Sequence, residues 1–362
     1  MTPNLEHDGG PATRDGAGHG ARPLAGARGW LISDGKAGHE TQARGVAEAL
    51  GLAYEVVRVD PKGLWRLMAP FGPVAPGEAV GRPGGLLAPP FPAVAIAVGR
   101  TTIPYIRALR RRAGVATFTV ILDDPKTGAR SADLISVPEH DRLRGANVMT
   151  TLCPPHGYSP ARISALRANL PADILALPAP RVAVLLGGNN AVYRFDAPAE
   201  QSLVDGLARL SSLGASLMVT ASRRTPAGLM QRIVAAISAA PHLVYDGAGA
   251  NPYAAFLAAA DALVVSADSV NMCGEAAATG KPVYVAPLAG GSAKFRRFHD
   301  ALAARGVTRP LAGDLAEVGG WSYVPIYEAD RIARAIEQRL GRRQAMLGGL
   351  VARNDTGCEG VA

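Results

Sequence analysis

LVVSADSVNMCGEAAATGKPVYV, residues 263–285, is the stretch whose reading decides the fold. Leu263, Val264 and Val265 form an apolar run of the kind found in strands buried on both faces. Residues 266–269 are a turn of small and polar residues, and residues 272–279 have the composition of a helix. Gly280 is placed to cap that helix, and Pro282 opens the next strand. Strand, polar turn, helix, glycine turn and strand make one unit of a parallel α/β sheet. Glu275 sits in the first turns of the helix, where amide groups favour an anion and a carboxylate can accept two ribose hydroxyls. That pairing suits a nucleoside diphosphate. An ordinary strand–helix–strand unit with a solvated glutamate gives the same pattern.

Outward from this unit the chain keeps alternating. Strands are expected at 30–33, 54–59, 94–98, 117–122 and 134–137, with helices at 40–50 and 103–112. After a Pro- and Leu-rich stretch at 171–180 the alternation restarts, with strands at 182–186 and 216–220 and helices at 199–213, 227–239 and 252–260. Alternation of this kind means parallel sheets covered on both faces, and the restart means two such domains with a cleft between them. The expected layout is a disordered tail at 1–27, an N-terminal domain at 28–176 and a C-terminal domain at 177–326. A C-terminal helix at 327–346, centred on 329–340, is expected to pack back across the junction, before a second disordered tail at 347–362.

Composition narrows the function. The chain has 362 residues, 48% apolar, which is enough for a sizeable core and excludes wholesale disorder. The net charge of +8 is spread over dispersed arginines, and aromatic residues are only 5%, so no basic stripe with interleaved aromatics exists and nucleic acid is not expected as a partner. Anionic small molecules or an anionic membrane surface fit the charge as well. Cys153, Cys273 and Cys358 are far apart and odd in number, which argues for a reducing compartment without disulfides or zinc. No apolar run is long enough for a transmembrane helix, and the first residues lack the apolar core of a secretory signal. The expected location is the cytoplasm, including its membrane face.

Each half opens with a special loop after its first strand. In the first half it is SDGKAGH at 33–39. Gly35 and Gly38 permit close backbone approach, Lys36 and the helix start favour an anion, and Asp34 and His39 are the candidate acid or base. In the second half it is LGGNNAVY at 186–193, where Gly187 and Gly188 again clear space at the C-terminal end of a strand. Other phosphate motifs fail. The segment 274–281 is one residue too long for a P-loop and leads into Pro282, and no GxGxxG follows a strand. No DxD occurs, so the metal ligands of many sugar transferases are missing. Asp123-Asp124-Pro125 is read chiefly as a turn. Residues 64–91 form a Pro- and Gly-rich insertion whose Trp65, Leu67, Met68 and Phe71, beside Lys62 and Arg66, suit a lipid headgroup region or pack onto the first sheet.

These pieces carry a resemblance. SDGKAGHETQ at 33–42, AVGRTT at 97–102, DDPK at 123–126, VPEHD at 137–141, LLGGNNAVYRF at 185–195, the opening stretch, and GGSAKFRRFHDAL at 290–302 resemble the "elongated mitochondria" family of mitochondrial fission, shared by plants and many bacteria. The resemblance covers about residues 29–339. That family is similar in turn to GT-B glycosyltransferases, especially the lipid-linked N-acetylglucosamine transferase of peptidoglycan synthesis. It implies two Rossmann-like domains facing across a cleft, the C-terminal one holding a nucleotide sugar and the N-terminal one the acceptor.

On that resemblance Gly187, Gly188, Asn189 and Asn190 would cradle the diphosphate, with Ser266, Ser269 and Glu275 at the pyrophosphate and ribose end. Lys294, Arg296 and Arg297 would neutralise the leaving diphosphate in place of a metal, and His39 or Asp34 would deprotonate an acceptor hydroxyl. His140, Asp141 and His299 are read chiefly as structural, with cleft lining as the second reading. No cofactor and no metal are expected, the nucleoside-diphosphate sugar being a substrate. The sequence does not name the acceptor, and a lipid-linked one at the membrane surface is among the candidates. Two rivals stand beside this transferase: a nucleoside-diphosphate-sugar epimerase needing no acceptor, and a non-enzymatic adaptor for a dynamin-like partner.

Overall fold

Twelve of the chain's strands belong to two all-parallel sheets, one in each half. The computed structural model describes residues 22–139 and 141–356, and the expected tail at 1–27 lies mostly outside them. The first sheet contains β1 (Arg28–Ser33), β2 (Ala53–Arg58), β3 (Val94–Val98), β4 (Phe118–Leu122), β5 (Leu134–Pro138) and β6 (Val148–Thr151). The second contains β7 (Arg181–Leu186), β9 (Ser216–Ala221), β10 (His242–Val244), β11 (Ala262–Ser266), β12 (Val283–Ala286) and β14 (Thr308–Pro310). A short antiparallel pair, β8 (Tyr193–Arg194) and β13 (Ala289–Gly290), stands apart. The helices are α1 (Ala37–Leu50), α2 (Gly63–Met68), α3 (Ile103–Ala113), α4 (Pro160–Ala168), α5 (Ala172–Leu175) and α6 (Ala197–Ser212). They continue as α7 (Ala227–Ile237), α8 (Tyr253–Ala259), α9 (Val270–Ala277), α10 (Ala293–Ala304) and α11 (Glu328–Thr356).

Strand order is β2-β1-β3-β4-β5-β6 in the first sheet and β10-β9-β7-β11-β12-β14 in the second. Both orders reverse beside the first strand of their half, the hallmark of a doubly wound sheet. The reversal opens a crevice between the ends of β1 and β3, and another between the ends of β7 and β11. Both glycine loops leave from these places. The fold is thus two Rossmann-like domains facing each other, a GT-B-like architecture.

The central strands are apolar on both faces because helices cover both. In the first half Leu31, Val94, Ile96 and Val120 pack against α1, while Ile32, Ala97 and Ile121 pack against Tyr105, Ile106 and Leu109 of α3. In the second half Val182, Val184 and Val264 pack against Leu203, Leu207 and Ile233 of α6 and α7, and Ala183, Leu185 and Val265 against α8, α9 and α10.

The first sheet ends at Thr151, and Ile163 of α4 already packs on Ala258 of α8. The chain therefore crosses between halves at 152–159, upstream of the 176/177 boundary expected from the Pro-rich stretch, and Pro178 is tied to the second sheet by the Ser216 hydroxyl at 2.7 Å. The return crossing leads into α11, whose Ala329, Ile332, Ala333, Ile336 and Leu340 join the core of α1 and the first sheet. This helix runs on to Thr356, into the segment expected as a tail, and 357–362 lie outside the described residues. The two crossings are fastened together by Glu328, whose buried carboxylate accepts the Leu152 N–H at 2.8 Å and the Arg331 guanidinium at 2.5 Å.

Candidate functional site

The first crevice holds an acid–imidazole pair. Asp34 follows β1 directly, and its Oδ1 lies 2.8 Å from His39 Nδ1 and 3.3 Å from the Lys36 amide. Lys36 Nζ adds an ion pair at 3.2 Å to the other oxygen. Burial pushes the Asp34 carboxyl up, but the hydrogen bonds and charge of His39 and the bonds from Lys36 outweigh it and hold the acid below its ordinary value. An ionised Asp34 requires a proton on Nδ1 of His39, which leaves Nε2 as the basic nitrogen. Gly35 supplies the left-handed turn, with φ of 79°. Gly99, at the end of β3, closes the crevice: a Cβ there would come within 2.7 Å of His39 Nδ1 and 2.8 Å of Asp34 Oδ2. Its φ of 99° also excludes other residues.

The cleft then joins the halves. A Cβ on Gly38 would stand 3.1 Å from the Asn271 side chain, so the starts of α1 and α9 meet. Lys294 of α10 reaches Asp141 of the first half at 3.5 Å, and Arg305 reaches Glu139 at 3.0 Å. Asp123 directly follows β4 with φ of 82°, a strained value for a non-glycine residue, and strain of this kind clusters at functional sites. Its side chain is exposed in the cleft, within the field of Lys294 and His39.

The second crevice is built from Gly187, Gly188, Ser266 and the 266–269 turn. Ser266 Oγ accepts the Gly187 N–H at 2.7 Å, and Ser269 caps α9 by accepting the Met272 N–H at 3.3 Å. That cap starts α9 at Val270, earlier than the expected 272. Asn189 Oδ1 accepts the Phe195 N–H at 2.7 Å, and Asn190 Oδ1 accepts the Val192 and Tyr193 N–H groups at 2.8 Å each. Both asparagine side chains thus shape the loop itself. His299 Nε2 lies 2.9 Å from the Ala267 carbonyl and anchors the turn from α10.

Glu275 lies one turn beyond Asn271 on α9 and is only 8% exposed. Its solvent exposure is not what an ordinary surface glutamate would have. Burial pushes its carboxyl up to about 7, against a hydrogen bond that the Tyr253 hydroxyl donates to it. Tyr158 stacks at a tilt on Tyr253, with ring centroids 6.1 Å apart, so the acid is walled by two phenols.

The structure therefore gathers Asp34, Gly35, Lys36, Gly38 and His39 in one crevice, with Lys294 nearby across the cleft. Gly187, Gly188, Ser266 and Ser269 line the other, with Glu275 one turn deeper. Lys294 is engaged with an acidic partner in the opposite half, while Arg296 and Arg297 are exposed and form no ion pair among the described residues. His140 lies outside the described residues. Sequence reasoning gave no site role to Gly99, Asn271, Asp268 or Tyr253, and gave Asp123 active-site lining only as its second reading. Gly99 was legible as a glycine directly after an apolar strand; the others depend on which elements meet. Among the described residues no cluster of three or more His, Cys, Asp or Glu side chains is arranged to hold a metal.

Comparison with known proteins shows the family of the chain. A solved structure of MurG from Acinetobacter baumannii is similar at 16% identity and a TM-score of 0.45, covering 87% of this chain and 92% of that one. The S. aureus MnaA–UDP co-structure is similar at 11% identity and a TM-score of 0.46, covering 87% and 90%. At these values neither likeness bears on chemistry. The Mitochondrial fission protein ELM1 of Arabidopsis thaliana is 30% identical over 278 residues, 70% of this chain and 65% of that protein's length. The mitochondrial fission ELM1 family model matches residues 37–340, from the start of α1, which carries Gly38 and His39 but follows Asp34, to α11, and the chain belongs to that family.

Proposed function

We propose that this protein is a metal-independent, nucleotide-sugar-dependent glycosyltransferase whose acceptor is lipid-linked. The observation that supports it is the Asp34–His39 pair, held against Gly99 at the mouth of a cleft whose other wall carries Glu275. In this reading the nucleoside enters beside α9, where the Glu275 carboxylate accepts ribose hydroxyls once Tyr253 releases it. His39 Nε2 takes the proton from an acceptor hydroxyl as the sugar–phosphate bond breaks, and Asp34 stabilises the imidazolium that forms. Lys294, Arg296 and Arg297 offer the positive charge that the departing diphosphate needs. The lipid-linked acceptor is favoured by an apolar rim: Leu64, Leu67 and Phe71 are 62%, 74% and 67% exposed. Arg100, next to Gly99, holds the Leu67 carbonyl at 2.7 Å and so joins this rim to the first crevice.

The test is release of nucleoside diphosphate from UDP-N-acetylglucosamine by the purified protein, with and without a polyprenyl-linked sugar, whose free hydroxyls are the acceptor the mechanism requires. Release that needs the lipid supports the transferase. Interconversion of the sugar without lipid supports the epimerase. Absence of any nucleotide binding overturns both and leaves the adaptor reading.

A further inference from the structure

The crevice between the ends of β7 and β11 is where a doubly wound sheet offers its ligand site, and the glycine loop 187–190 is the expected seat of an anion. An anion is already there, and it belongs to the protein. The Asp268 side chain has no exposed surface. Its Oδ1 accepts the Ser266 hydroxyl at 2.7 Å and its Oδ2 accepts the Gly188 N–H at 2.9 Å. The nearest cation is Arg224, 3.5 Å away and half exposed. A Cβ on Gly187 would collide with both carboxylate oxygens, and one on Gly188 with the Arg224 backbone. These glycines make room for Asp268 and for the turn bearing Arg224.

The other loop amides are also engaged. Gly187 N–H donates to Ser266 Oγ at 2.7 Å, Asn189 N–H to the Arg224 carbonyl at 3.3 Å, and Asn190 N–H to the Tyr193 carbonyl at 2.9 Å. All four amides of the expected cradle therefore have protein acceptors, and one of these acceptors is the carboxylate of Asp268.

We infer that Asp268 sets the affinity of the nucleotide site: its buried carboxylate occupies the glycine loop and competes with the ligand's diphosphate for it. The inference rests on the nucleotide-sugar reading. A diphosphate in this crevice would stand beside a like charge in surroundings that screen poorly, and the two repel. Binding requires that Asp268 swing away or that the phosphates stay nearer the start of α10. Either route weakens the hold on the phosphates and leaves the hold on the nucleoside unchanged.

Charge and shape can be separated. In Asp268→Asn the amide oxygen still accepts the Gly188 N–H, and the amide nitrogen can donate to Ser266 Oγ. Calorimetric titration of UDP and of uridine against the wild type, Asp268→Asn and Asp268→Gly is the experiment. The expected result is UDP binding at least about tenfold tighter in both variants, as removal of a close like charge implies, with uridine unchanged. Should Asp268→Asn fail to fold, judged by circular dichroism, Asp268→Gly decides. UDP binding that is equal or weaker in the folded variants, while the wild type binds UDP, overturns the inference and leaves the nucleotide reading standing. No binding of UDP or uridine by any of the proteins at millimolar concentration overturns both.

Discussion

At the scale of single residues, two acids with opposite shifts divide the work. Asp34 is held below its ordinary value and serves to orient His39; Glu275 is pushed up to about 7 by burial. His39→Ala or Asp34→Asn should slow turnover by roughly a hundredfold or more while donor affinity stays within about twofold, a split that steady-state kinetics with a separate binding titration reads directly. The Glu275 shift makes a pH prediction. A carboxyl whose folded value is raised from 4.5 to about 7 binds its proton more tightly in the folded state. Its contribution to stability is therefore present at low pH and lost as pH rises between those two values. Glu275→Gln should gain on the wild type by roughly 2–4 kcal/mol from about pH 4 to about pH 8, measured by urea unfolding. A constant difference would show that the carboxyl is not buried as described. The residues of the first loop were legible because glycine, acid and histidine crowd seven positions after a strand. Asp268 was in plain view within the opening stretch, yet its fold-back onto Gly188 depends on a strand 80 residues away in sequence, which no local pattern reports.

At the scale of elements, the parallel strands were readable because burial on both faces demands unbroken apolar runs such as Val94–Val98. The short edge strands β6, β10 and β14 were not, since their half-buried or brief runs lack that signature. Helix α10 was also missed, although Ser292 caps it through the Phe295 N–H at 3.4 Å. Gly99 ties two elements: Gly99→Ala places a methyl against both His39 and Asp34 and strains a φ of 99°. It should cost about 1–3 kcal/mol and break the Asp34–His39 pair, visible as loss of the low-field imidazole proton signal in NMR spectra. The insertion after β2 splits in two. Of the four side chains with two readings, Leu67 and Phe71 face solvent and Trp65 and Met68 are half-buried, while Leu87, further along the insertion, is the one buried on the first sheet. Leu67→Ser with Phe71→Ser should remove sedimentation with anionic vesicles and leave the melting temperature within about 2 °C, because exposed side chains add little to stability. A wild type that stays in the supernatant at low salt contradicts the lipid-acceptor reading.

At the scale of the whole molecule, two halves with the same winding are joined by two crossings that Glu328 fastens at one point. The cleft is spanned by Lys294–Asp141 and Arg305–Glu139, pairs exposed enough to be worth only about 0–1 kcal/mol each. The two-domain plan was legible from the restart of the alternation; the crossing point was not, because α4 and α5 belong to the second half by packing and nothing in their composition says so. The account's central claim is that a nucleotide lodges in this cleft with its ribose on Glu275. Calorimetric titration of UDP-N-acetylglucosamine at about pH 8 into the wild type and into Glu275→Ala tests it most directly. The account predicts saturable binding by the wild type and a loss of roughly 1.5–3 kcal/mol in the variant, the worth of hydrogen bonds to a charged group; equal affinity in the two proteins, or no binding by the wild type, would contradict it.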